Sequence, residues 1–379
     1  MNKNFIPKVA LVHDWLTGMR GGEKVLEALC EILPSADVFT LLHIPQSVST
    51  VIEKHTITTS YLQHFPLIGK KYRYYLPLMP NAIETLDLSA YDVVISTSHC
   101  VAKGCIPRKD AIHICYCHTP MRYIWDQFDH YFGPGRSNKL IALAMKMIRP
   151  YLQRWDVKTS NRVSQFIANS DYVRQRIQRY YNREAAVIYP PVDTNYYVCD
   201  SKNSDSSYYL MVSAFAPYKK LDIAIEAFNQ MKLPLKIIGS GQDEMKLKSM
   251  AKGTIEFLGW KDNQDLRHHY QNCKALIFPG IEDFGIVPVE AMACGKPIIA
   301  FQRGGALETI IENQTGIFFD TQTPDSLIKA VRKSEAHPWD PDLIRNHAVK
   351  FSKERFKNQI QEYLKKALKS EFDLFAHIS

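Results

Sequence analysis

Two glutamates stand eight residues apart in a segment whose pattern predicts a strand, a turn, a helix and a second strand. The apolar run 275–278 precedes the turn that holds Glu282, and Glu290 lies in the helical segment 286–293. In open parallel sheets, ligands bind at the carboxyl ends of the strands, where helix N-termini offer unpaired N–H groups to anions. The turn around Glu282 is therefore a candidate ligand site.

The spacing of Glu282 and Glu290 bears on the chemistry that they could perform. Eight helical steps of about 1.5 Å separate two carboxylates by roughly 12 Å, beyond the roughly 5 to 9.5 Å of two-carboxylate glycoside hydrolysis. The spacing favours hydrogen bonding to two parts of one polar ligand, such as a sugar and a ribose. The alternative is an ordinary amphipathic helix with two solvated acids.

The segment 280–300, GIEDFGIVPVEAMACGKPIIA, resembles the E-x7-E signature of the retaining family-4 glycosyltransferases. That family has the GT-B fold, in which two Rossmann-like, doubly wound α/β domains face a central cleft. The resemblance implies that Glu282 contacts hydroxyls of the donor sugar and that Glu290 contacts the ribose. It also implies backbone contacts to the sugar and diphosphate from Phe284, Gly285 and Ile286.

Length and composition predict a soluble globular protein of two domains. The 379 residues exceed one usual core, and 46% hydrophobic and 23% charged residues are ordinary proportions. No apolar run approaches the roughly 20 residues of a membrane span, and the N-terminus lacks a signal-peptide pattern. The eight scattered cysteines are typical of reduced thiols, so we expect a cytoplasmic location, with the cytoplasmic face of the inner membrane as a refinement.

The formal net charge of +8 predicts an anionic partner. Lys and Arg are spread along the chain and no nucleic-acid-binding motif occurs, so a nucleic acid is not expected. A nucleotide-sugar and an anionic membrane surface account for the same charge. Two segments, 69–80 and 139–155, mix basic, aromatic and apolar residues and suit such a surface. The alternative is that both are ordinary half-buried helices. In the second segment, the helix is expected to be interrupted at Pro150.

Paired glycines follow the first predicted strand. The apolar run 8–14 precedes Gly21 and Gly22, which open a helical pattern at 23–32. Glycines at a helix start let backbone N–H groups approach a diphosphate, with a plain turn as the alternative. In the resembling family, this loop faces the donor phosphates or the acceptor.

A histidine ends another predicted strand. His118 follows the run 112–117, at the edge of the sheet where ligands bind. In the resembling family, a histidine at this point lies near the site of sugar transfer. The run YCHTPMRYIWD around it is similar to the WbaZ-like, GDP-mannose-dependent mannosyltransferases, which implies that acceptor-side contacts come from Arg122, Trp125 and Asp126.

The second half begins after a stiff connection. Two prolines in 187–193 (VIYPPVD) resist helix and sheet, which predicts a first domain of residues 1–190 and a second of 191–352. The second domain is expected to bind the nucleotide-sugar. The basic, helical tail 353–379 is expected, by resemblance, to pack back toward the first domain.

The loop 213–222 departs from the family pattern. Resemblance places Lys219 on the diphosphate, but Ala214 stands where an Arg is expected. Losing one preorganised donor to a developing anion costs on the order of 3 kcal/mol, so we expect another cation to substitute, from Lys220, Arg303 or Arg20. The family also places the loop at Lys261 beside the base.

The resemblance implies a catalytic set of His118, Lys219 and Glu282, acting with retention of configuration and without a metal or other cofactor. The implied donor is GDP-mannose, and the implied acceptor is a glycan or a polyprenyl-diphosphate-linked oligosaccharide of O-antigen, capsule or exopolysaccharide synthesis. Three alternatives stay open: a UDP-sugar-dependent transferase, a nucleotide-sugar 2-epimerase of the same fold, and a catalytically silent binding subunit suggested by Ala214.

Overall fold

The computed structural model describes residues 7–133, 138–200 and 207–368 of the chain. Within these residues, the chain divides into two compact units. Unit 1 contains the chain up to Pro191 and again from Glu354, and unit 2 runs from Val192 to Lys353.

Unit 1 is built on a parallel sheet of seven strands in the order β3-β2-β1-β4-β5-β6-β7. Strand β1 is buried along its whole length, which fits its continuous apolar run, because parallel strands are covered on both faces. The strands are β1 (Val9–His13), β2 (Asp37–Thr40), β3 (Ile57–Thr59), β4 (Val93–Ser98), β5 (Ile112–Cys117), β6 (Gln165–Ala168) and β7 (Ala185–Val187).

Helices cover both faces of this sheet. Ala10 and Val12 belong to one hydrophobic cluster, and their neighbours Val9 and Leu11 belong to another, as the alternation of side chains along a strand requires. Up to residue 191, the α-helices of unit 1 are α1 (Gly21–Ile32), α2 (Thr50–Glu53), α3 (Ile68–Lys71), α4 (Met79–Glu84), α5 (Phe128–Phe132), α6 (Lys139–Ser160) and α7 (Asp171–Tyr181), with 3-10 segments at Tyr61–His64, Tyr72–Leu78 and Ala102–Gly104.

The expected interruption at Pro150 is wrong, because α6 continues through it to Ser160. Pro150 has no N–H to donate to the backbone carbonyl one helical turn earlier. Because Pro150 lies on the exposed face of the helix, that carbonyl lies on the solvent side. The opposite face is held in place by the buried side chains of Met145, Leu152 and Trp155. Tertiary packing therefore outweighs the local preference of proline.

Unit 2 contains a second parallel sheet, of six strands in the order β10-β9-β8-β11-β12-β13. The strands are β8 (Tyr208–Val212), β9 (Leu235–Ile238), β10 (Ile255–Gly259), β11 (Cys273–Phe278), β12 (Ile298–Phe301) and β13 (Gly316–Phe319). The helices are α8 (Leu221–Met231), α9 (Glu244–Met250), α10 (Asn263–Asn272), α11 (Ile286–Ala293), α12 (Ala306–Thr309), α13 (Pro324–Glu335) and α14 (Pro341–Val349).

The last described helix returns to the first sheet. Helix α15 (Lys353–Ala367) buries Phe356, Ile360 and Leu364 in the same hydrophobic cluster as Leu11 of β1. Lys357 adds an ion pair of 2.7 Å to Glu31 of α1. Helix α15 thus completes the core of unit 1, and the part of the predicted tail after residue 368 lies outside the described residues.

Each sheet reverses its strand order once. In unit 1, β2 and β3 are added on one side of β1, and the chain then crosses to β4 on the other side of β1. In unit 2, β8 and β11 are the adjacent strands that correspond to β1 and β4. Loops that leave two such neighbours diverge and open a crevice at the carboxyl ends of the strands. The topology therefore predicts one ligand edge at β1/β4 and another at β8/β11.

Candidate active site

An ion pair joins the loops that follow β8 and β11, at the place in unit 2 where the strand order reverses. We call this place the β8/β11 point, and its equivalent in unit 1 the β1/β4 point. Lys219 ends the short 3-10 turn that leads from β8 into α8, and Glu282 lies in the turn after β11. The Lys219 ammonium pairs with the Glu282 carboxylate, and the two side chains are only 18% and 13% exposed. The structure thus joins two predicted catalytic residues that are 63 positions apart in the chain.

Glycines bring the surrounding loops into contact with this pair. A Cβ on Gly280 would lie 3.0 Å from the Lys219 Cα, and a Cβ on Gly305 would lie 2.4 Å from the Phe284 Cα. The Gly305 N–H donates to the Glu282 carbonyl at 2.9 Å, and Gly304 adopts a left-handed φ of +70° beside the same carbonyl. The Glu282 turn is therefore held by backbone contacts that larger residues would prevent.

Helix α11 begins directly after this turn. Gly285, with φ of +89°, is its N-cap, and Ile286 is its first residue. The Phe284 side chain is buried. The backbone of these three residues consequently lies at the positive end of an eight-residue helix, which favours an anionic ligand.

Glu290 is buried in the body of α11. It is 3% exposed, and its carboxylate accepts a hydrogen bond of 2.9 Å from the hydroxyl of the fully buried Tyr270. The pKa of Tyr270 is well above its usual range, chiefly because the hydroxyl is buried and to a smaller extent because the charge of Glu290 is close. The alternative of two solvated acids on an amphipathic helix is therefore wrong.

The other predicted cations of unit 2 lie around the same edge. Lys220 follows Lys219 with a left-handed φ of +57°, and Lys261 pairs with Asp265 at 3.4 Å in the segment after β10. Ala214 is exposed in the loop after β8. Arg303 is exposed and directly precedes Gly304, the residue that lies beside the Glu282 carbonyl.

A second pair of polar residues crosses the β1/β4 point of unit 1. Asp14 directly follows β1 and is fully buried, and His99 directly follows β4 with its side chain 26% exposed. The His99 Nδ1 lies 3.0 Å from an Asp14 oxygen. The same carboxylate accepts backbone hydrogen bonds of 2.6–2.9 Å from four consecutive N–H groups, those of His99, Cys100, Val101 and Ala102.

His118 lies beside this pair, at the end of β5. Its ring centroid is 6.2 Å from that of His99, and its Nε2 is a buried atom with no hydrogen-bond partner in the described structure. A Cβ on Gly22 would lie 3.5 Å from that Nε2 and 3.4 Å from the ring of His13. The pKa of His118 is well below its usual range, chiefly because the ring is buried and to a smaller extent because His99 and His13 are close. A neutral imidazole is therefore favoured.

Comparison with known proteins decides the family. The model for glycosyltransferase family 4 matches residues 19–196, and the model for glycosyl transferases group 1 matches residues 200–358. The chain belongs to the group 1 glycosyltransferases with a family 4 N-terminal domain. The first model begins after β1 and covers the rest of unit 1 up to Pro191, and the second covers the Lys219–Glu282 pair.

Curated relatives of this glycosyltransferase are distant. An uncharacterized glycosyltransferase of Methanocaldococcus jannaschii, MJ1178, is 31% identical over 166 residues, 42% of this chain and 46% of that protein. The alpha-1,3/1,6-mannosyltransferase ALG2 of Dictyostelium discoideum is 23% identical over 55% of this chain and 59% of its own length. The O-antigen chain mannosyltransferase C of Escherichia coli is 25% identical over 40% and 42%. The chain thus spans about half of the length of these relatives.

Solved structures confirm the GT-B fold of this glycosyltransferase. HepE of Anabaena, solved with UDP and glucose, has a TM-score of 0.67 at 17% identity, covering 94% of this chain and 99% of that one. Sucrose-phosphate synthase of Thermosynechococcus elongatus has a TM-score of 0.71 at 16% identity, covering 95% and 98%. The predicted pair of Rossmann-like, doubly wound domains is therefore confirmed.

The predicted acceptor-side residues of the glycosyltransferase have partners within unit 1. The Trp125 indole N–H donates to Asp156 at 2.8 Å, and Asp126 pairs with the buried Arg176 at 2.7 Å. Arg122 is half-buried, and its charge is one of the influences that lower the pKa of His118. Trp125 and Asp126 therefore hold the loop that follows His118, and their contact with an acceptor stays a prediction.

The polar cluster that surrounds His118 was not predicted from the sequence. His13 hydrogen-bonds Thr97 at 2.6 Å through Nδ1, and its Nε2 lies 3.8 Å from Glu23 of α1. Asp14 and His99 complete the cluster. A signal was present in the sequence, because Asp14 ends the apolar run 8–14 and His99 comes shortly after the run VVIST at 93–97, which also fits a strand. Adjacent parallel strands end at one edge of a sheet.

We expect Gly22→Ala to lower transfer activity about tenfold or more without lowering stability. The new methyl group finds ordinary contact distances of 3.4–3.5 Å to His13 and His118, and alanine suits a helix better than glycine by roughly 0.5–1 kcal/mol. It would nevertheless cover the unpartnered Nε2 of His118. Thermal unfolding and initial rates check this, and an unimpaired rate would contradict it.

Proposed function

We propose that this chain is a retaining, metal-independent mannosyltransferase that uses GDP-mannose and elongates a glycan or a polyprenyl-diphosphate-linked oligosaccharide. The observation that carries the proposal is the Lys219–Glu282 pair at the β8/β11 point, held by glycine contacts beside the N-terminus of α11. A cation, a carboxylate and oriented N–H groups in one place suit a sugar attached to a diphosphate.

The chemistry follows from charge. As the bond between sugar and diphosphate breaks, negative charge grows on the leaving group, and we assign its stabilisation to Lys219 and the N-terminus of α11. Glu282 accepts hydrogen bonds from hydroxyls of the donor sugar. Retention follows when the acceptor attacks the face from which the diphosphate departs, and this route needs no second carboxylate at nucleophilic distance from the first.

The choice of mannose rests on relatives. ALG2 of Dictyostelium discoideum and the O-antigen chain protein of Escherichia coli are both named mannosyltransferases. The latter also supports a role in O-antigen, capsule or exopolysaccharide assembly. HepE, solved with UDP and glucose, supports the rival UDP-sugar donor instead.

A thermal-shift panel followed by a transfer assay tests the function. The panel compares GDP, GDP-mannose, UDP and UDP-glucose, each with magnesium and with EDTA. A ligand at 100 times its Kd should add about 2.7 kcal/mol to the free energy of unfolding. We expect GDP and GDP-mannose to stabilise in EDTA, and labelled mannose to reach a lipid-linked acceptor.

Each rival has its own outcome in the same experiment. Stabilisation by UDP compounds alone replaces the mannose donor by a UDP-sugar. Conversion of the nucleotide-sugar without an acceptor indicates a 2-epimerase. Donor affinity without turnover indicates the silent binding subunit that Ala214 suggests.

Arg303 is our proposed substitute for the arginine expected at position 214. It is exposed directly before Gly304, whose backbone contacts Glu282, whereas Lys220 has its conformation set as the N-cap of α8. We expect Arg303→Met to lower kcat by about a hundredfold, because a cation that faces a developing anion is lost. The double variant Arg303→Met/Ala214→Arg should recover most of the rate. An unchanged rate in Arg303→Met would contradict the assignment.

An anionic membrane surface is the proposed partner of one face of unit 1. Residues 54–83 and 130–155 contain no Asp or Glu. Within the second stretch, α6 exposes an apolar stripe at steps of three and four residues, which falls within an arc of about 80° at 100° per residue. The stripe consists of Leu140 (75% exposed), Leu143 (57%), Met147 (74%) and Tyr151 (53%).

The first stretch exposes similar side chains. Leu67 is 62% exposed at a left-handed φ of 54°, and Tyr74 is 66% exposed beside the exposed Lys71 and Arg73. The inward-facing side chains of both stretches, among them Tyr72 and Met145, belong to one core cluster of unit 1. In the described part of the chain, no helix is both long and apolar enough to cross a bilayer. Interfacial contact at the cytoplasmic face of the inner membrane is therefore the form of attachment that we propose.

We expect the triple variant Leu140→Ser/Leu143→Ser/Met147→Ser to bind vesicles of phosphatidylglycerol and phosphatidylcholine at least about tenfold more weakly, since each apolar side chain contributes transfer free energy. Its melting temperature should not change, because all three side chains are exposed. The matched control is Met245→Ser/Leu307→Ser/Leu343→Ser, which removes exposed apolar side chains of unit 2. Equal sedimentation of the two triple variants with the vesicles would contradict the assignment.

A further inference from the structure

The Lys219–Glu282 pair joins two groups that the proposed function assigns to different parts of the donor. Lys219 offsets the charge of the diphosphate, and Glu282 accepts hydrogen bonds from hydroxyls of the sugar. The two side chains nevertheless contact each other, and they are only 18% and 13% exposed. Lys219 thus has an anionic partner within the protein, and a diphosphate is a second anion that needs the same cation.

The backbone around the pair holds its two residues close together. A Cβ on Gly280 would lie 3.0 Å from the Lys219 Cα and 3.1 Å from the Tyr218 carbonyl oxygen. A Cβ on Gly304 would lie 2.5 Å from the Glu282 carbonyl oxygen. Because these contacts fix where both side chains begin, a bound ligand changes the pair through the side chains alone. The lysine stem is flexible, so the ammonium can turn toward a diphosphate, but it stays near the carboxylate.

A nucleotide with its sugar and a nucleotide without it act differently on this pair. Hydroxyls of the sugar donate to the Glu282 carboxylate, which only accepts, so the carboxylate keeps partners while the ammonium turns to the diphosphate. A nucleoside diphosphate without the sugar brings no such donors. It places a second anion beside Glu282, and the repulsion between the two anions is weakly screened because this side chain is 13% exposed. The carboxylate therefore assists one complex and opposes the other.

We propose that Glu282 is a specificity-determining residue that distinguishes the sugar-bearing donor from the spent nucleoside diphosphate; this rests on the function proposed above. Once the sugar has left with the acceptor, Glu282 competes with the diphosphate for Lys219. The ion pair that the structure contains is the product of that competition. Glu282 thereby strengthens binding of the donor relative to the product and favours release of the product.

Calorimetric titration of the wild type and of Glu282→Gln with GDP and with GDP-mannose tests the inference. Glutamine keeps the size of the side chain and removes its charge. We expect the variant to bind GDP about threefold to tenfold more tightly, because a repelling anion is lost. It should bind GDP-mannose about tenfold more weakly, because hydrogen bonds to a charged acceptor are lost. A merely structural role would weaken both complexes together and lower the melting temperature.

The matched control is Glu244→Gln in the same unit. Its carboxylate pairs with Lys248 at 2.8 Å on α9, and the Lys248 side chain is 53% exposed. This change also removes one carboxylate charge from an ion pair with a lysine. We expect the affinities for GDP and GDP-mannose to stay as in the wild type, because the α9 pair does not involve Lys219.

A second measurement uses the wild type alone, and so does not depend on the folding of a variant. Free mannose supplies hydroxyls to Glu282 without supplying a diphosphate. We expect saturating mannose to tighten GDP binding at least about threefold, and GDP to tighten mannose binding by the same factor. Glu282→Gln should lack this coupling.

The outcomes separate the inference from the proposed function. If Glu282→Gln weakens GDP and GDP-mannose equally, or if mannose leaves the GDP affinity of the wild type unchanged, this inference alone falls. The same titrations are run with UDP, UDP-glucose and free glucose. If only these bind, the mannose donor falls, and the inference stands when Glu282→Gln again shifts the two affinities in opposite directions. If the wild type binds no nucleotide of either set, the proposed function and the inference both fall.

Discussion

Replacing Lys219 by methionine should lower kcat by roughly 10²–10³, because the leaving diphosphate loses a preorganised cation at the moment when its charge develops. Glu282→Gln should lower kcat/KM by a similar order, since the amide replaces an acceptor for sugar hydroxyls and abolishes the ion pair with Lys219. The double variant should lose much less than the product of the two single losses, because the side chains interact. Steady-state kinetics of the four proteins with a fixed acceptor measure these values.

The control for that series is Lys248→Met. Lys248 lies in the same unit with its side chain 53% exposed, and its partner is the neighbouring Glu244 at 2.8 Å on α9. Such a pair contributes little to stability, so its loss should change neither rate nor melting temperature appreciably. If Lys219→Met behaves like Lys248→Met, the diphosphate is stabilised by other groups and the proposed mechanism is wrong.

The second large effect should come from Gly305→Ala, a change of one methyl group. The new Cβ would lie 2.4 Å from the Phe284 Cα and 2.5 Å from the Phe284 carbonyl oxygen, so the Glu282 turn has to move. Overpacking of this kind costs roughly 1–3 kcal/mol, and we expect donor affinity to fall by at least tenfold. Calorimetric titration with the nucleotide and thermal unfolding measure the two effects.

Gly253→Ala is the matched control for Gly305→Ala. A Cβ at Gly253 finds no atom within 4 Å, so the same chemical change should leave stability and donor affinity essentially unaltered. Donor affinity equal in the two alanine variants would show that the close contact between Gly305 and the Glu282 turn does not set the geometry of the donor site.

The local signals of the sequence were sufficient for the elements that flank the site. Strand β5 begins and ends where the apolar run 112–117 predicts, and α11 covers the predicted 286–293. Both segments contain short-range patterns, an apolar run or a helical period bounded by glycine or proline, which depend little on the rest of the chain. Pro150 shows the limit, because the packing of α6 depends on residues far away in the sequence.

The chemistry of the candidate site divides in the same way. The sequence by itself determined two α/β domains, the membership of Glu282, Lys219 and His118 in strand-end loops, and the glycines beside them, since these follow from local pattern and motif. Only the tertiary structure decided that Lys219 pairs with Glu282, that Glu290 is buried against Tyr270, and that Asp14 orients His99. The Lys219–Glu282 and Asp14–His99 contacts arise from the order in which strands pair, which brings residues 63 and 85 positions apart to one sheet edge, and no local pattern encodes that order.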